Sequence, residues 1–224
     1  MQLGTIVSSL SHIDYLGQVF GPHDIECVPR PADYAFGRFV RVVTRTPAQV
    51  GREASAQNST ANASQVFAVG LIYNTQLTPS GFDPGSPRLT SERHTTLFSP
   101  DASYERAVLI AVILLGTLAK EPQATRPMVL HGVPPLALDA GSVIETMTDE
   151  EVRAFHCFSR PERATEPALH LGYLPHLLAH RHRLVPQLIL RVLEQLERLL
   201  PGQALQLAHL KQNFAWQLKV ETLG

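Results

Sequence analysis

The sequence predicts an α+β protein, with a small closed β-barrel over residues 1–98 followed by a mainly α-helical domain over residues 99–224. Two observations lead to this fold class. Short apolar runs, broken by glycine and proline, dominate the first part of the chain, as in barrels built from short strands. In the second part, apolar residues recur at helical spacing between capping residues and prolines.

The barrel is predicted from a series of apolar runs separated by turn residues. These runs are Leu3–Ser9, Tyr15–Phe20, Ile25–Val28, Phe39–Val43 and Val66–Tyr73. Glycines in or beside such runs often mark bulges or the bends of barrel corners. The glycines at these places are Gly4, Gly17, Gly37 and Gly70. Several short strands at this spacing favour a closed barrel over a flat sheet.

Two polar segments interrupt this pattern of strands. Residues 46–65 contain almost no large apolar side chain, which predicts a mobile loop between strands. Residues 78–93 are rich in proline and glycine, and they predict an extended surface connection. We therefore expect the domain boundary near Ser99.

The helical half opens with the run Ala107–Ala119, which is apolar on every side. We expect a helix over Tyr104–Ala119. A membrane span needs about 20 apolar residues, and this run is shorter. The run is therefore interpreted as a buried core helix rather than a membrane segment.

The remaining elements are predicted from their capping residues and spacing. Thr148 and Glu151 form a capping box that starts a helix. Further helices are predicted over Pro186–Leu200 and Leu207–Leu218, and short strands over Met128–His131 and Ser142–Thr146. On the last helix we expect Phe214 and Trp216 in the core, with an aromatic anchor for a partner as the alternative.

The net charge and the cysteine content limit which functions are possible. The 19 basic and 20 acidic residues give a net charge of −1, which argues against a large electrostatic commitment to nucleic acid. The two cysteines are too few for a disulfide framework, and the first residues lack the features of a signal peptide. We therefore expect a cytoplasmic protein without a membrane span.

The candidate binding residues form a basic, histidine-rich stretch. They are His176, His180, Arg181, His182, Arg183 and Arg191. Such a cluster can bind an acidic partner or phosphates, and the alternative is an ordinary solvated surface. His176 and His180 have the spacing of zinc ligands on a helix, but no His-Glu-x-x-His motif is present. No metal or cofactor is predicted.

No catalytic residue is predicted. The sequence contains neither a Gly-x-Ser-x-Gly elbow nor a Gly-x-x-x-x-Gly-Lys-Ser/Thr phosphate loop. His156 and Cys157 are adjacent, so their side chains diverge by about 100 degrees on a helix and do not form a catalytic pair. The acidic run Asp149–Glu151 fits the first turn of a helix, where it complements the helix dipole.

The run from Ala35 to Val42, together with Tyr34 before it and an opening of the type Leu3-Gly4-x-Ile6-Val7, resembles a known family. This is the HAS barrel, the N-terminal β-barrel of the HerA translocase and of ATP synthase catalytic subunits. The resemblance covers residues 1–98 and implies a barrel that tends to associate. No catalytic residue carries over, because the ATPase motifs are not matched. The whole chain also resembles uncharacterised barrel-containing proteins from cyanobacteria, which imply no activity.

The leading hypothesis is a non-enzymatic interaction or assembly module, whose β-barrel serves self-association or docking onto a larger complex. One alternative is an accessory factor of a DNA-processing or ATPase machine that uses the region from His176 to Arg191. A second alternative is a small metal-dependent enzyme that uses His176, His180 and His182. A protein partner or self-association is thus expected, and nucleic acid is the less supported partner.

Overall fold

The computed structural model describes residues 1–43, 65–79, 106–120, 127–158, 168–180 and 182–221. Its strands are β1 Gln2–Ser9, β2 Asp14–Val19, β3 Phe39–Val43, β4 Gln65–Pro79, β5 Arg106–Lys120, β6 Met128–His131, β7 Val143–Thr146, β8 Cys157–Phe158 and β9 Ala168–Leu169. Its helices are α1 Asp149–His156, α2 Leu174–Ala179, α3 Val185–Leu199 and α4 Ala204–Glu221, with a 3-10 turn at Pro201–Gln203. The loop predicted over 46–65, except residue 65, lies outside the described residues, as does Ser99. Of the connection predicted over 78–93, residues 78 and 79 belong to β4 and the rest lie outside the described residues.

Six strands form a closed antiparallel barrel in the order β2-β1-β7-β3-β4-β5, and β5 pairs back with β2. The seventh strand of the sheet, β6, pairs with the far half of β5. Strands β1 to β4 match four of the predicted runs, and β6 and β7 match the two short strands predicted later in the chain. The predicted small β-barrel is therefore confirmed.

The helix predicted over Tyr104–Ala119 is wrong, because Arg106–Lys120 forms strand β5. Side chains of β5 that point into the barrel pack in its interior, and those that point outward pack under the helices. A strand buried on both faces is apolar at every position, so its sequence lacks the alternation of a half-exposed strand.

The barrel extends beyond residue 98, the predicted end of the barrel domain. Its closing strand β5 and the strand β7 both follow that position. The helices also share their core with the barrel, because one cluster joins Phe67 and Leu71 of β4 to Leu188 and Val192 of α3. The helices thus form a layer on the outside of the barrel.

The predicted strand over Ile25–Val28 is wrong, because this stretch forms a bend without strand pairing. Two aspartates hold the turns on either side of it. The Asp24 carboxylate accepts a hydrogen bond from the amide of Gly21 at 2.8 Å, and the Asp33 carboxylate accepts one from the amide of Arg30 at 2.8 Å. Such side-chain contacts offer the backbone an alternative to strand pairing.

The helix start predicted from Thr148 and Glu151 is confirmed, since both hydrogen bonds of the capping box are present at α1. The helices predicted from Pro186 and around Leu207 are present as α3 and α4. In the described part of the chain, no helix is both long and apolar enough to cross a bilayer.

Candidate functional site

The predicted histidines dock the segment around α2 onto the outside of the barrel. His176 donates from Nε2 to the backbone carbonyl of Leu114 in β5, at 2.9 Å. The Leu114 amide in turn donates to the carbonyl of Ile13, directly before β2, at 2.8 Å. His176 therefore secures α2 at the point where β2 begins its pairing along β5.

A buried polar network centres on Asp14, the first residue of β2, which is only 5% exposed. Its carboxylate accepts the Tyr73 hydroxyl, at 2.8 Å from Oδ1 and 2.9 Å from Oδ2. His180 Nε2 lies 3.2 Å from Oδ2. Burial, together with the hydrogen bond to Asp14, raises the pKa of Tyr73, so this side chain stays a neutral donor.

The second ring nitrogen of His180, Nδ1, is buried and has no hydrogen-bond partner among the described residues. Of the two ring nitrogens, only Nε2 is therefore bonded, to the Asp14 carboxylate. The ring is also enclosed by aromatic contacts, since Tyr73 packs against His180 at 5.6 Å and against His182 at 4.9 Å between ring centroids.

The other predicted binding residues are not gathered with these rings into one basic surface. His182 Nδ1 accepts the amide of Leu184 at 3.2 Å, so this nitrogen supports the start of α3. Arg183 is exposed, and Arg191 pairs with Glu194 at 3.5 Å. Arg181 lies outside the described residues. The role of these residues in binding an acidic partner stays a prediction.

Arg191 also lies against the turn that carries part of the family resemblance. Gly37 has a φ of +78°, and a Cβ placed on it would lie 2.7 Å from Cγ of Arg191. Gln195 donates to the Gly37 carbonyl at 2.8 Å. Glycine at this position therefore permits both the left-handed backbone and the close approach of α3.

A second histidine pair, which the sequence analysis did not single out, lies between α1 and the barrel. His156 is fully buried, donates from Nδ1 to the carbonyl of Val152 at 2.7 Å, and accepts at Nε2 the Tyr173 hydroxyl at 2.9 Å. Burial lowers the pKa of His156 to about 3. His131 of β6 donates from Nε2 to the carbonyl of Phe155 at 2.8 Å. Both rings act as structural links.

No group of three or more histidine, cysteine, aspartate or glutamate side chains is placed to hold a metal ion within the described ranges. His176, His180 and His182 turn to three different partners rather than to one point. Cys27 and Cys157 are free thiols, and burial raises the pKa of the Cys157 thiol.

A partly buried charge cluster joins α1 to the outside of the barrel. Arg41 of β3 pairs with Glu151 and with Glu145, the latter at 2.8 Å, and it lies over the Phe67 ring. Lys120 reaches the same Glu151 carboxylate at 2.7 Å. Burial acts to raise the pKa of Glu151, but the hydrogen bonds from Lys120 and Thr148 and the charge of Arg41 bring it below its usual range. The cluster fixes the position of α1.

Exposed apolar side chains occur on the β1–β2 turn, on β6 and on the segment after β6, and we call this set the apolar rim. It consists of Leu10, Leu130, Val133 and Leu136, each more than half exposed. His12 Nε2 donates to the carbonyl of Pro134 at 2.7 Å and so joins the two segments. Gly132 donates to the carbonyl of Leu115 at 2.9 Å, which anchors the same segment to β5.

A second exposed apolar surface lies on α4. The core position predicted for Trp216 is wrong, because this side chain is 68% exposed. Phe214 is partly buried and packs against the core cluster, as predicted. The two residues differ by two positions on the helix, so they point to different sides, and α3 covers only the side of Phe214.

The fold and these surfaces define a class: a small antiparallel β-barrel protein with a helical layer on its outside and exposed apolar side chains on the rim and on α4. The chain belongs to the family described as Domain of unknown function (DUF8166), whose model matches residues 1–223. A comparison with curated proteins finds no match. The HAS-barrel resemblance stays a prediction, whereas the small closed barrel that it implies is present.

Proposed function

We propose that the protein is a non-enzymatic interaction module of the cytoplasm, and that its barrel docks through the apolar rim onto a larger protein complex. The observation that carries the proposal is the exposure of four branched apolar side chains on segments that the barrel holds together. Several exposed apolar side chains on segments that are joined to each other mark an interaction site more often than scattered single residues do.

The chemistry of the rim favours an apolar protein surface as partner. Residues 127–138 contain no lysine, arginine, aspartate or glutamate, so docking there would strip water from few charges. Fully burying one leucine or valine side chain contributes about 1.5–3 kcal/mol. Pro134 and Pro135 restrict the backbone of the segment, which lowers the entropy lost on binding.

The titratable groups that the fold brings together support a binding role rather than catalysis. The Asp14 carboxylate is buried and engaged by Tyr73 and His180, and His156 is buried and engaged on both ring nitrogens. These groups hold elements of the fold in place. The free thiol of the exposed Cys27 fits a reducing compartment.

The proposal is tested by purifying the tagged protein from its native host, identifying the partner, and measuring the affinity of the purified pair by calorimetry. In Val133→Glu and Leu136→Glu, a charge would have to be buried in the docked complex. We expect each variant to raise the dissociation constant about tenfold or more.

Leu77→Glu is the matched control, because Leu77 is also an exposed leucine on the barrel. It pairs with Val108 of β5, whereas the rim segment is anchored at Leu115. At about 3.3 Å per residue the two places are about 20 Å apart along the strand. A partner that binds the rim variants as tightly as the unmodified protein, or a strictly monomeric protein that retains no partner, contradicts the proposal.

A further inference from the structure

Between residues 205 and 217, the exposed face of α4 carries no charged side chain. From residue 205 to residue 217, the exposed positions are Leu205, Gln206, His209, Leu210, Gln212, Asn213, Trp216 and Gln217. The face that a surface helix turns to water usually carries charged residues. On this helix the charged Lys211 lies on the opposite side, where it pairs with Glu197 of α3.

One line of this face has apolar ends and a polar centre. Leu205, His209, Gln212 and Trp216 follow one another at spacings of four, three and four residues, so they lie along one side of the helix. Leu205 is 74% exposed and Trp216 is 68% exposed. The opposite side is the one that packs, because Leu207 is fully buried and Phe214 contacts the core.

This line is complementary to itself when two copies run antiparallel. A two-fold axis between positions 210 and 211 places Leu205 opposite Trp216 of the second copy, and His209 opposite Gln212. Apolar side chains then meet apolar ones, and the imidazole meets an amide that can both donate and accept hydrogen bonds. The exposed face brings no like charges together.

We propose that two copies of this chain associate through an antiparallel pairing of their α4 helices along Leu205, His209, Gln212 and Trp216. A two-fold interface uses the same patch on both copies, which is what this arrangement provides. One pair of helices buries less than the roughly 1,600 Å² of a standard interface, so we expect a dimer that forms at micromolar concentration.

Sedimentation velocity over a range of protein concentrations measures this dimer. Trp216 is the sole tryptophan of the chain, so its fluorescence reports the same event. We expect its emission maximum to move to shorter wavelength as the protein concentration rises. The midpoint of this shift should coincide with the midpoint of the change in sedimentation. Leu205→Lys and Trp216→Glu should each raise the dimer dissociation constant about tenfold or more, because each buries a charge against an apolar side chain.

The double variant Leu205→Lys/Trp216→Glu tests the antiparallel geometry. The introduced lysine of each copy would then face the introduced glutamate of the other, and the dimer should return. Within one chain the two positions lie about 16 Å apart along the helix axis, too far to pair. In a parallel pairing the introduced lysines of the two copies would face each other, so the double variant would not restore the dimer.

Leu178→Lys is the control, since Leu178 is an exposed leucine on α2, and it should leave the dimer unchanged. A monomer at all concentrations, a dimer insensitive to both single variants, or a double variant that stays monomeric would overturn the proposal. Circular dichroism of every variant checks that the variant is folded. The rim and α4 are separate surfaces, so loss of dimerisation with intact partner binding would leave the rim proposal standing.

Discussion

Tyr73 of β4 donates its hydroxyl hydrogen to the Asp14 carboxylate of β2, at 2.8 Å from Oδ1. These two strands are not neighbours, because β5 lies between them and pairs with both. The bond thus crosses β5 on the outside of the barrel, beside the β2–β5 pairing that closes it. His180 joins the same carboxylate, so one buried acid connects the closure of the barrel to the segment that follows α2.

Tyr73→Phe should destabilise the protein, since it removes a donor from a buried carboxylate and leaves the packing of the ring. The expected loss in the free energy of unfolding is about 1–3 kcal/mol, measured by urea denaturation. Tyr34→Phe is the matched control, because the Tyr34 hydroxyl has no hydrogen-bond partner in the described part of the chain. Equal losses in the two variants would show that the Asp14 bond contributes nothing to stability.

His156 should make the protein less stable in mild acid. Its pKa lies at about 3 in the folded protein, against an ordinary value of 6.5. Between these values the unfolded chain binds a proton that the folded protein excludes, so the free energy of unfolding falls as the pH is lowered from 6.5. The slope contributed by one such group approaches about 1.4 kcal/mol per pH unit. Urea denaturation from about pH 7 to about pH 4 measures it.

The slope, rather than the stability itself, identifies the group. His156→Leu should lose its share of the pH dependence even if its stability at neutral pH is lower, because the buried titratable ring is gone. A His156→Leu variant with an unchanged slope would show that other groups cause the acid sensitivity.

The barrel could be predicted from the sequence because β1, β2 and β3 have local signals: short apolar runs bounded by turn residues. The strand β5 could not be recognised, because a strand covered on both faces lacks the period that distinguishes strand from helix. Only the pairing of β5 with β4 along its whole length, a contact between distant parts of the chain, decides its conformation.

The histidines of the candidate site show the same limit. Their closeness in sequence singled out His176, His180 and His182, but their direction depends on the barrel strands beneath them. The capping box predicts the start of the helix that carries His156, yet the partner of this buried ring, Tyr173, belongs to another segment. Trp216 lies among residues with the spacing of an amphipathic helix, but it is two positions from Phe214 and therefore lies on the uncovered side of α4.

Gly17 tests how tightly the interior of the barrel is filled. A Cβ placed on Gly17 would lie 2.2 Å from Cδ1 of Ile144 in β7. Gly17→Ala should therefore lower the free energy of unfolding by about 1–3 kcal/mol through overpacking. Ile144→Val removes the clashing methyl group and by itself costs about 0.5–1.5 kcal/mol. Because the second change makes room for the first, Gly17→Ala should cost less in the Ile144→Val background than alone.

A double-mutant cycle in urea denaturation measures this coupling between Gly17 and Ile144. Gly202→Ala is the control, since an added Cβ there meets no atom within 4 Å, and its effect should be the same in both backgrounds. Strictly additive losses for Gly17→Ala and Ile144→Val would mean that the interior yields at another point. The nearest candidates are the Thr5 carbonyl, at 3.3 Å from the added Cβ, and Ile110, at 3.5 Å. Non-additive losses, in contrast, would show that Gly17 of β2 and the Cδ1 methyl group of Ile144 in β7 pack against each other across the filled barrel.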